Sequence, residues 1–210
     1  MNEYFAWFGL PGTFVLTMLM SLLSLVLAVC KKKKAAWICF AAMATSSVGD
    51  LFMTRFGNLE EIFGGNCFVL GAAFFMVAHI LYLTSYRMYA KAKSYKFFNG
   101  GVVAALVIAL ACLVYFTVVC AQRNDFSMYF LCMLYLIVIT CNCATIFSYA
   151  WASVTEGKKP YMALAGIGAL SFLLSDMIIG LDALAGISDF GWLIWWLYPV
   201  GQILINIFAI

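Results

Sequence analysis

Asp50, His79 and Asp176 are the groups of this chain that can titrate near neutral pH from well inside long apolar segments. Asp50 closes the stretch Ser46-Ser47-Val48-Gly49-Asp50, where an apolar run ends on a carboxyl group. An Asp within a membrane-spanning helix costs about 2.5–3.5 kcal/mol on insertion scales, so it usually faces the bundle interior and usually serves a function. The apolar runs offer neither Asp a Lys or Arg as counter-ion. A buried carboxylate without a basic partner is hard to justify on structural grounds alone. The chemistry open to such groups is the holding and transfer of protons in a medium of low polarity.

Other polar residues recur at helical spacing beside these three. Phe75, His79, Tyr82 and Tyr86 fall on one helix face. Tyr198, Gln202 and Asn206 form a second stripe, and Tyr135, Asn142 and Tyr149 a third. Ser171 and Ser175 precede Asp176. The plain reading of each is packing. A single His in a helix is more often a hydrogen-bonded packing residue than a catalyst, Asn142, Gln202 and the serines most often supply interhelical hydrogen bonds, and Tyr stripes usually pack. Asp182 and Asp189 lie near a run end and are expected to be solvated. Taken together, four inward stripes would line a wet or amphiphile-sized cavity. The expectation is one intramembrane pocket, in a layer between the outer interface and the midplane.

The elements that must position these groups follow from composition. Of 210 residues, 66% are apolar and 10% charged, and the mean hydropathy is +1.03. A soluble chain of this length cannot hide so much apolar surface, so the solvent is a bilayer. A spanning helix needs roughly 20 apolar residues. Seven runs qualify, at 10–30, 35–54, 67–86, 100–120, 128–151, 161–185 and 190–210. They are solid rather than alternating, which argues for helices over a barrel. The expected fold is an all-α, polytopic bundle of about seven transmembrane helices, with residues 1–210 forming a single integral membrane domain.

Charge orients the bundle. Lys31 to Lys34, then Arg87, Lys91, Lys93 and Lys96, then Lys158 and Lys159 put ten of the twelve basic residues on one side, against Arg55 and Arg123 on the other. Positive loops mark the cytoplasm, so the N-terminus is expected outside and the C-terminus inside. Lys31–Lys34 could also meet anionic lipid. Tyr4, Trp7, Tyr86, Tyr89, Tyr129, Tyr149, Trp151, Trp192, Trp195 and Trp196 cluster near run ends, as interface anchors do. Gly71, Gly166 and Gly168, with their Ala neighbours, would allow close helix approach. With Glu3, no basic residue before Lys31 and a long apolar run, the start does not read as a cleaved signal.

Several activities are disfavoured by what the chain lacks. Cys39, Cys112, Cys132, Cys141 and Cys143 sit in apolar runs as small hydrophobes rather than metal or redox ligands. His79 is the single His and is far from any Cys pair, so neither a zinc site nor a ceramidase-like zinc hydrolase is expected. The last run carries no Lys for a retinal Schiff base, and there is no Gly-x-Ser-x-Gly elbow for a Ser hydrolase.

The motifs resemble the YhhN-like lysoplasmalogenase family of small multispanning membrane proteins. Four segments carry the resemblance, in the family's order: Ser46 to Phe52, Phe68 to Tyr82, Gly168 to Asp176, and Tyr198 to Ile205. Family members typically have eight helices where seven fit here, and Lys31–Lys34 replaces the usual Lys-plus-Pro signature. The resemblance implies hydrolysis of the vinyl ether bond of lysoplasmalogens, releasing a fatty aldehyde. It implies Asp50 and Asp176 as the catalytic pair, one acid and one base in an order left open. His79, Tyr82, Tyr198, Gln202, Ser175 and Asn142 would position water or headgroup. No cofactor or metal is implied. The partners are a lysophospholipid substrate and membrane lipids, not nucleic acid, and the cell membrane is the expected location. A transporter or lipid-binding protein using the same cavity is the alternative. Broken helices would favour it, and a break near Pro199 and Gly201 is the place to look.

Overall fold

Backbone groups surrounded by hydrocarbon have no water to bond, so each apolar run satisfies them within itself as a helix. The computed structural model describes residues 12–120, 126–157 and 159–208. Among them the helices are α1 (Gly12–Lys31), α2 (Lys34–Met53), the single turn α3 (Leu59–Ile62), α4 (Cys67–Ala92), α5 (Gly100–Cys120), α6 (Phe126–Thr155), α7 (Ala163–Ala185) and α8 (Gly191–Phe208). A 3-10 turn, Pro160–Met162, leads into α7. Six helices, α1, α2, α4, α5, α6 and α7, are long and apolar enough to cross a membrane. The seventh expected run forms α8, which is not among these six. The chain is thus an all-α, multi-pass membrane protein. Glu3, Tyr4, Trp7, Arg123 and Lys158 lie outside the described residues.

Two helices overrun the apolar runs that predict them. α4 continues past Tyr86 through Arg87 and Lys91, and α6 extends at both ends. In α4 long basic side chains keep their heads in water while their stems continue the helix, so hydropathy understates its length. The break that would have favoured a transporter does not occur at Pro199. α8 runs through it from Gly191 to Phe208.

Contacts divide the described residues into two compact units, one ending at Ser85 and one beginning at Tyr86. In the first, α1 packs on α2, where the hydroxyls of Ser21 and Ser47 meet at 2.8 Å. α2 and the first part of α4 are antiparallel. Ser85 Oγ donates to the Ala35 carbonyl at 2.8 Å, Tyr82 Oη to Met43 Sδ at 3.3 Å, and the helices cross at Gly49 and Gly71. A Cβ on Gly49 would lie 3.1 Å from the Phe75 ring and 3.3 Å from the Gly71 carbonyl oxygen. Small residues at this crossing let the backbones approach.

In the second unit, α5 and α6 form one hairpin and α7 and α8 another. Gly101 lies so close to α6 that a Cβ there would stand 2.2 Å from the Phe147 carbonyl oxygen. Between α7 and α8 the contact is again backbone on backbone. A Cβ on Gly201 would meet the Phe172 nitrogen at 3.0 Å and the Gly168 carbonyl at 3.1 Å. α7 ends on Gly186, at φ 65°, whose N–H bonds the Asp182 carbonyl at 2.9 Å while Ile187 reaches back to Leu181 at 3.5 Å. This left-handed cap is open to glycine at no steric cost and turns the chain into α8.

The anchor reading is corrected for three tyrosines. Tyr86, Tyr89 and Tyr149 are buried, not interfacial. Their rings pack together, Tyr86 and Tyr89 lying 5.4 and 6.5 Å from Tyr149, and Tyr95 joins at 6.1 Å. Tyr86 also donates to the Ile205 carbonyl at 2.8 Å, satisfying an acceptor in the last turn of α8. Proximity to a run end does not separate a lipid-facing ring from one turned inward. Trp151, Trp192 and Trp196 are exposed, as anchors require.

Candidate functional site

Each unit carries candidate residues of its own. In the first, α2 buries a face rich in small residues, Ala35, Ala36, Cys39, Ala42, Ser46 and Gly49, with Asp50 near its C-terminal end. Asp50 is 5% exposed. Its backbone carbonyl accepts from both the Thr54 N–H and the Thr54 hydroxyl, each at 2.9 Å, which caps α2 directly after the acid. Ser46, one turn before Asp50 on the same face, is fully buried, and its hydroxyl has no hydrogen-bond partner among the described residues.

The facing stretch of α4 supplies the buried stripe expected of it. Phe75, His79 and Tyr82 are each less than 5% exposed. From the crossing at Gly49 and Gly71, the α-carbons of Asp50 and His79 lie roughly 13 Å apart along the helix axes, at 1.5 Å rise per residue. Side chains of antiparallel helices lean toward their own N-termini, so these two lean toward one another. Tyr82 lies a turn beyond His79, with its hydroxyl on the Met43 sulfur.

In the second unit the site gathers on α6, α7 and α8. Asp176 sits mid-way along α7 and is half-buried. Its Oδ2 accepts a hydrogen bond from the hydroxyl of Tyr135 on α6. Asn142, on the Tyr135 stripe of α6, is 1% exposed. The α6–α7 register is fixed again at Cys143, whose thiol donates to the Ala169 carbonyl at 3.4 Å. Ser175 lies two turns after Gly168, whose Cβ position meets the α8 backbone. It is fully buried, and its hydroxyl has no hydrogen-bond partner among the described residues.

α8 presents the expected polar stripe. Tyr198, Gln202 and Asn206 are all buried. Gln202 Nε2 donates to the Tyr198 hydroxyl at 3.3 Å, and Asn206 Nδ2 to the Gln202 carbonyl at 2.8 Å. The Tyr198 ring packs edge-on against Phe172 at 5.3 Å.

The structure therefore places Asp50, His79 and Tyr82 on the facing helices α2 and α4 of the first unit, all three buried. In the second it brings Asp176 to Tyr135, and Tyr198 to Gln202, with Asn142 and Ser175 on the same helices. Two participants go beyond the expected set. Tyr135 lay on a recognised stripe, but only the observed contact ties it to Asp176. Ser46 belonged to the opening motif, but an unpartnered hydroxyl is invisible in sequence. Among the described residues no three His, Cys, Asp or Glu side chains gather as a metal site.

The sequence profile of the YhhN family matches residues 12–207, nearly the whole chain. No curated protein and no solved structure matches the chain.

Proposed function

The chain belongs to the YhhN family, and from that premise we propose that it is a membrane-embedded lipid hydrolase of lysoplasmalogenase type, acting in the cell membrane. The observation that carries the reading is Asp176. It is a partly buried acid in the middle of a long apolar helix, held by a tyrosine hydroxyl. Such a group does not face hydrocarbon, so its accessible side belongs to a polar opening. The buried Asp50 and the polar residues on α4, α6 and α8 support the same reading.

Vinyl ether hydrolysis suits two carboxyl groups. A protonated carboxyl donates its proton to the vinyl carbon β to the ether oxygen. The π electrons form the new C–H bond, and the α carbon becomes an oxocarbenium ion. Water adds to that carbon and passes a proton to the second carboxylate, giving a hemiacetal. The second carboxyl group then returns a proton to the glycerol oxygen as its bond to carbon breaks. The first carboxylate takes the hydroxyl proton, releasing aldehyde and glycerophospho-headgroup and restoring both groups. Glycosidases manage a related cation with paired carboxyl groups. His79, Tyr82, Asn142, Ser175, Tyr198 and Gln202 orient water or the headgroup in this scheme.

The test is direct. Purified protein is incubated with a lysoplasmalogen and, separately, with an ordinary acyl lysophospholipid. The expected result is fatty aldehyde from the first and no fatty acid from the second. Substrate left intact in both, with flux across a vesicle membrane instead, would replace the hydrolase with a transporter.

A further inference from the structure

We infer that the connection between α4 and α5 is a binding surface for the headgroup of an anionic glycerophospholipid. This is independent of the hydrolase reading and would hold for a transporter as well. Cys67–Ala92 and Gly100–Val119 are each long and apolar enough to cross a membrane, so residues 93–99 between them lie at one of its surfaces. By the charge count that surface is the cytoplasmic one. Four cations are exposed there, Arg87 and Lys91 in the last turns of α4 and Lys93 and Lys96 in the connection. Among the described residues none of the four meets a carboxylate, the ion pair found there being Arg55 with Glu60. Glu156, one residue before the Gly157 that lies against the Tyr95 hydroxyl, is exposed and pairs with none of them.

An orientation signal needs only a number of positive charges on one side. Here they are held in place. Ser94 takes a left-handed turn at φ 58°, its N–H bonding the Lys91 carbonyl at 3.0 Å and the Tyr95 N–H the Ala90 carbonyl at 3.0 Å. The Phe97 carbonyl accepts from the Ser148 hydroxyl on α6. Asn99 Nδ2 donates to the Ser148 carbonyl at 3.0 Å, while Asn99 Oδ1 caps α5 by accepting from the Gly101 N–H at 3.0 Å. Arg87 and Lys91, four apart, share a face of α4. The Arg87 guanidinium carbon stands 4.6 Å from the centre of the Phe97 ring, which keeps its planar set of donors at the loop. Phe98, edge-on to Phe97 at 5.1 Å, is 84% exposed. The exposed Trp151 ring lies over the start of α5, 2.6 Å from where a Cβ on Gly100 would stand. Exposed rings beside ordered cations fit a ligand with an apolar body and a negative head, the rings seating at headgroup level and the cations meeting the phosphate. A soluble anion would leave Phe98 without a use.

The protein is reconstituted into phosphatidylcholine vesicles carrying a minor share of brominated phosphatidylglycerol or, separately, of brominated phosphatidylcholine. Quenching of Trp151 is read as the difference from Trp151→Phe. The brominated phosphatidylglycerol is expected to quench more strongly, and the excess is expected to fade in about 1 M salt, where screening shortens to about 3 Å. Arg87→Gln, Lys91→Gln and Lys96→Gln each lower the preference by up to about fivefold. Arg87→Lys keeps the charge yet loses part of the preference, because an ammonium does not reproduce the stacked planar donor. These side chains are exposed, and single changes leave the other basic residues to hold the orientation. Equal quenching by the two lipids would overturn the proposal and leave the loop a topology signal. An excess that survives in every variant would overturn its assignment to these residues. Loss of the excess on adding inorganic phosphate at constant ionic strength would make this a site for free phosphate and overturn the lipid reading. Absence of aldehyde release would bear on the hydrolase reading alone.

Discussion

Tyr135 on α6 donates its hydroxyl hydrogen to Oδ2 of Asp176 on α7. Neither residue is fully buried, yet both lie within helices long and apolar enough to span a membrane. A carboxylate in such a place needs donors, and in the absence of Lys or Arg in the span a phenol is the strongest neutral one the chain offers. The same bond fixes the carboxylate plane relative to two helices at once, so any proton passing through Asp176 does so at a defined point.

The two acids are expected to act as one unit. Asp50→Asn and Asp176→Asn each lower aldehyde release by about 10²–10⁴-fold, the usual worth of a positioned acid or base. The double variant falls little further, because groups that serve one cycle are strongly non-additive. Steady-state rates of the two singles and the double on a lysoplasmalogen check this. Losses that multiply would show that the carboxyl groups contribute independently.

Glycine positions separate tight crossings from ordinary ones. Gly101→Ala places a Cβ 2.2 Å from the Phe147 carbonyl oxygen, a backbone atom with nowhere to move. It is expected to destabilise the protein by about 1–3 kcal/mol. Gly166→Ala meets its nearest neighbour, the Phe147 ring, at 3.6 Å. That change is expected to be neutral or to stabilise by up to about 1 kcal/mol through helix propensity. Thermal unfolding of both variants in detergent distinguishes them, and equal shifts would contradict the geometry of the α5–α6 crossing.

Much of this architecture is legible in the sequence because hydrocarbon leaves the backbone so little choice. The apolar runs become helices, and the stripes Phe75-His79-Tyr82 and Tyr198-Gln202-Asn206 turn inward as their spacing requires. What spacing cannot give is the partner across an interface. Tyr135 and Tyr149 share one stripe, yet one bonds an acid and the other anchors an aromatic cluster with Tyr86. Helix ends are also blurred, since Arg87 and Lys91 continue α4 while lowering its hydropathy. Gly166 and Gly168 look alike in sequence, but only Gly168 lies on the α8 backbone, where a Cβ would meet Leu204 Cβ at 2.7 Å.

Cys30 reports orientation. It is an exposed thiol at the end of α1, beside Lys31; among the described residues Cys141, within α6, is exposed as well, whereas Cys39, Cys67, Cys112, Cys132 and Cys143 are buried. If the basic loops face the cytoplasm, a membrane-impermeant maleimide labels Cys30 in inside-out vesicles and leaves it unmodified in intact cells. Comparison with Cys30→Ser assigns the signal. Labelling of Cys30 from the outer side would invert the topology.

Buried serines with and without partners are expected to respond in opposite directions. Ser85 is buried and donates to the Ala35 carbonyl at 2.8 Å, so Ser85→Ala loses that bond and costs about 1 kcal/mol. Ser46 and Ser175 are equally buried, but their hydroxyls have no hydrogen-bond partner among the described residues. An unsatisfied buried hydroxyl costs about 1–3 kcal/mol, so Ser46→Ala and Ser175→Ala raise stability by about 1 kcal/mol. A fold retains such a group where a water or substrate oxygen uses it, and Ser46 and Ser175 stand one turn and one residue before Asp50 and Asp176. Turnover therefore falls in these two variants while the melting temperature rises, the trade expected of site residues. Measuring melting temperature and aldehyde release on the same preparations checks both halves. Higher stability with full turnover would make the hydroxyls mere core residues, and lower stability would mean that they are bonded after all.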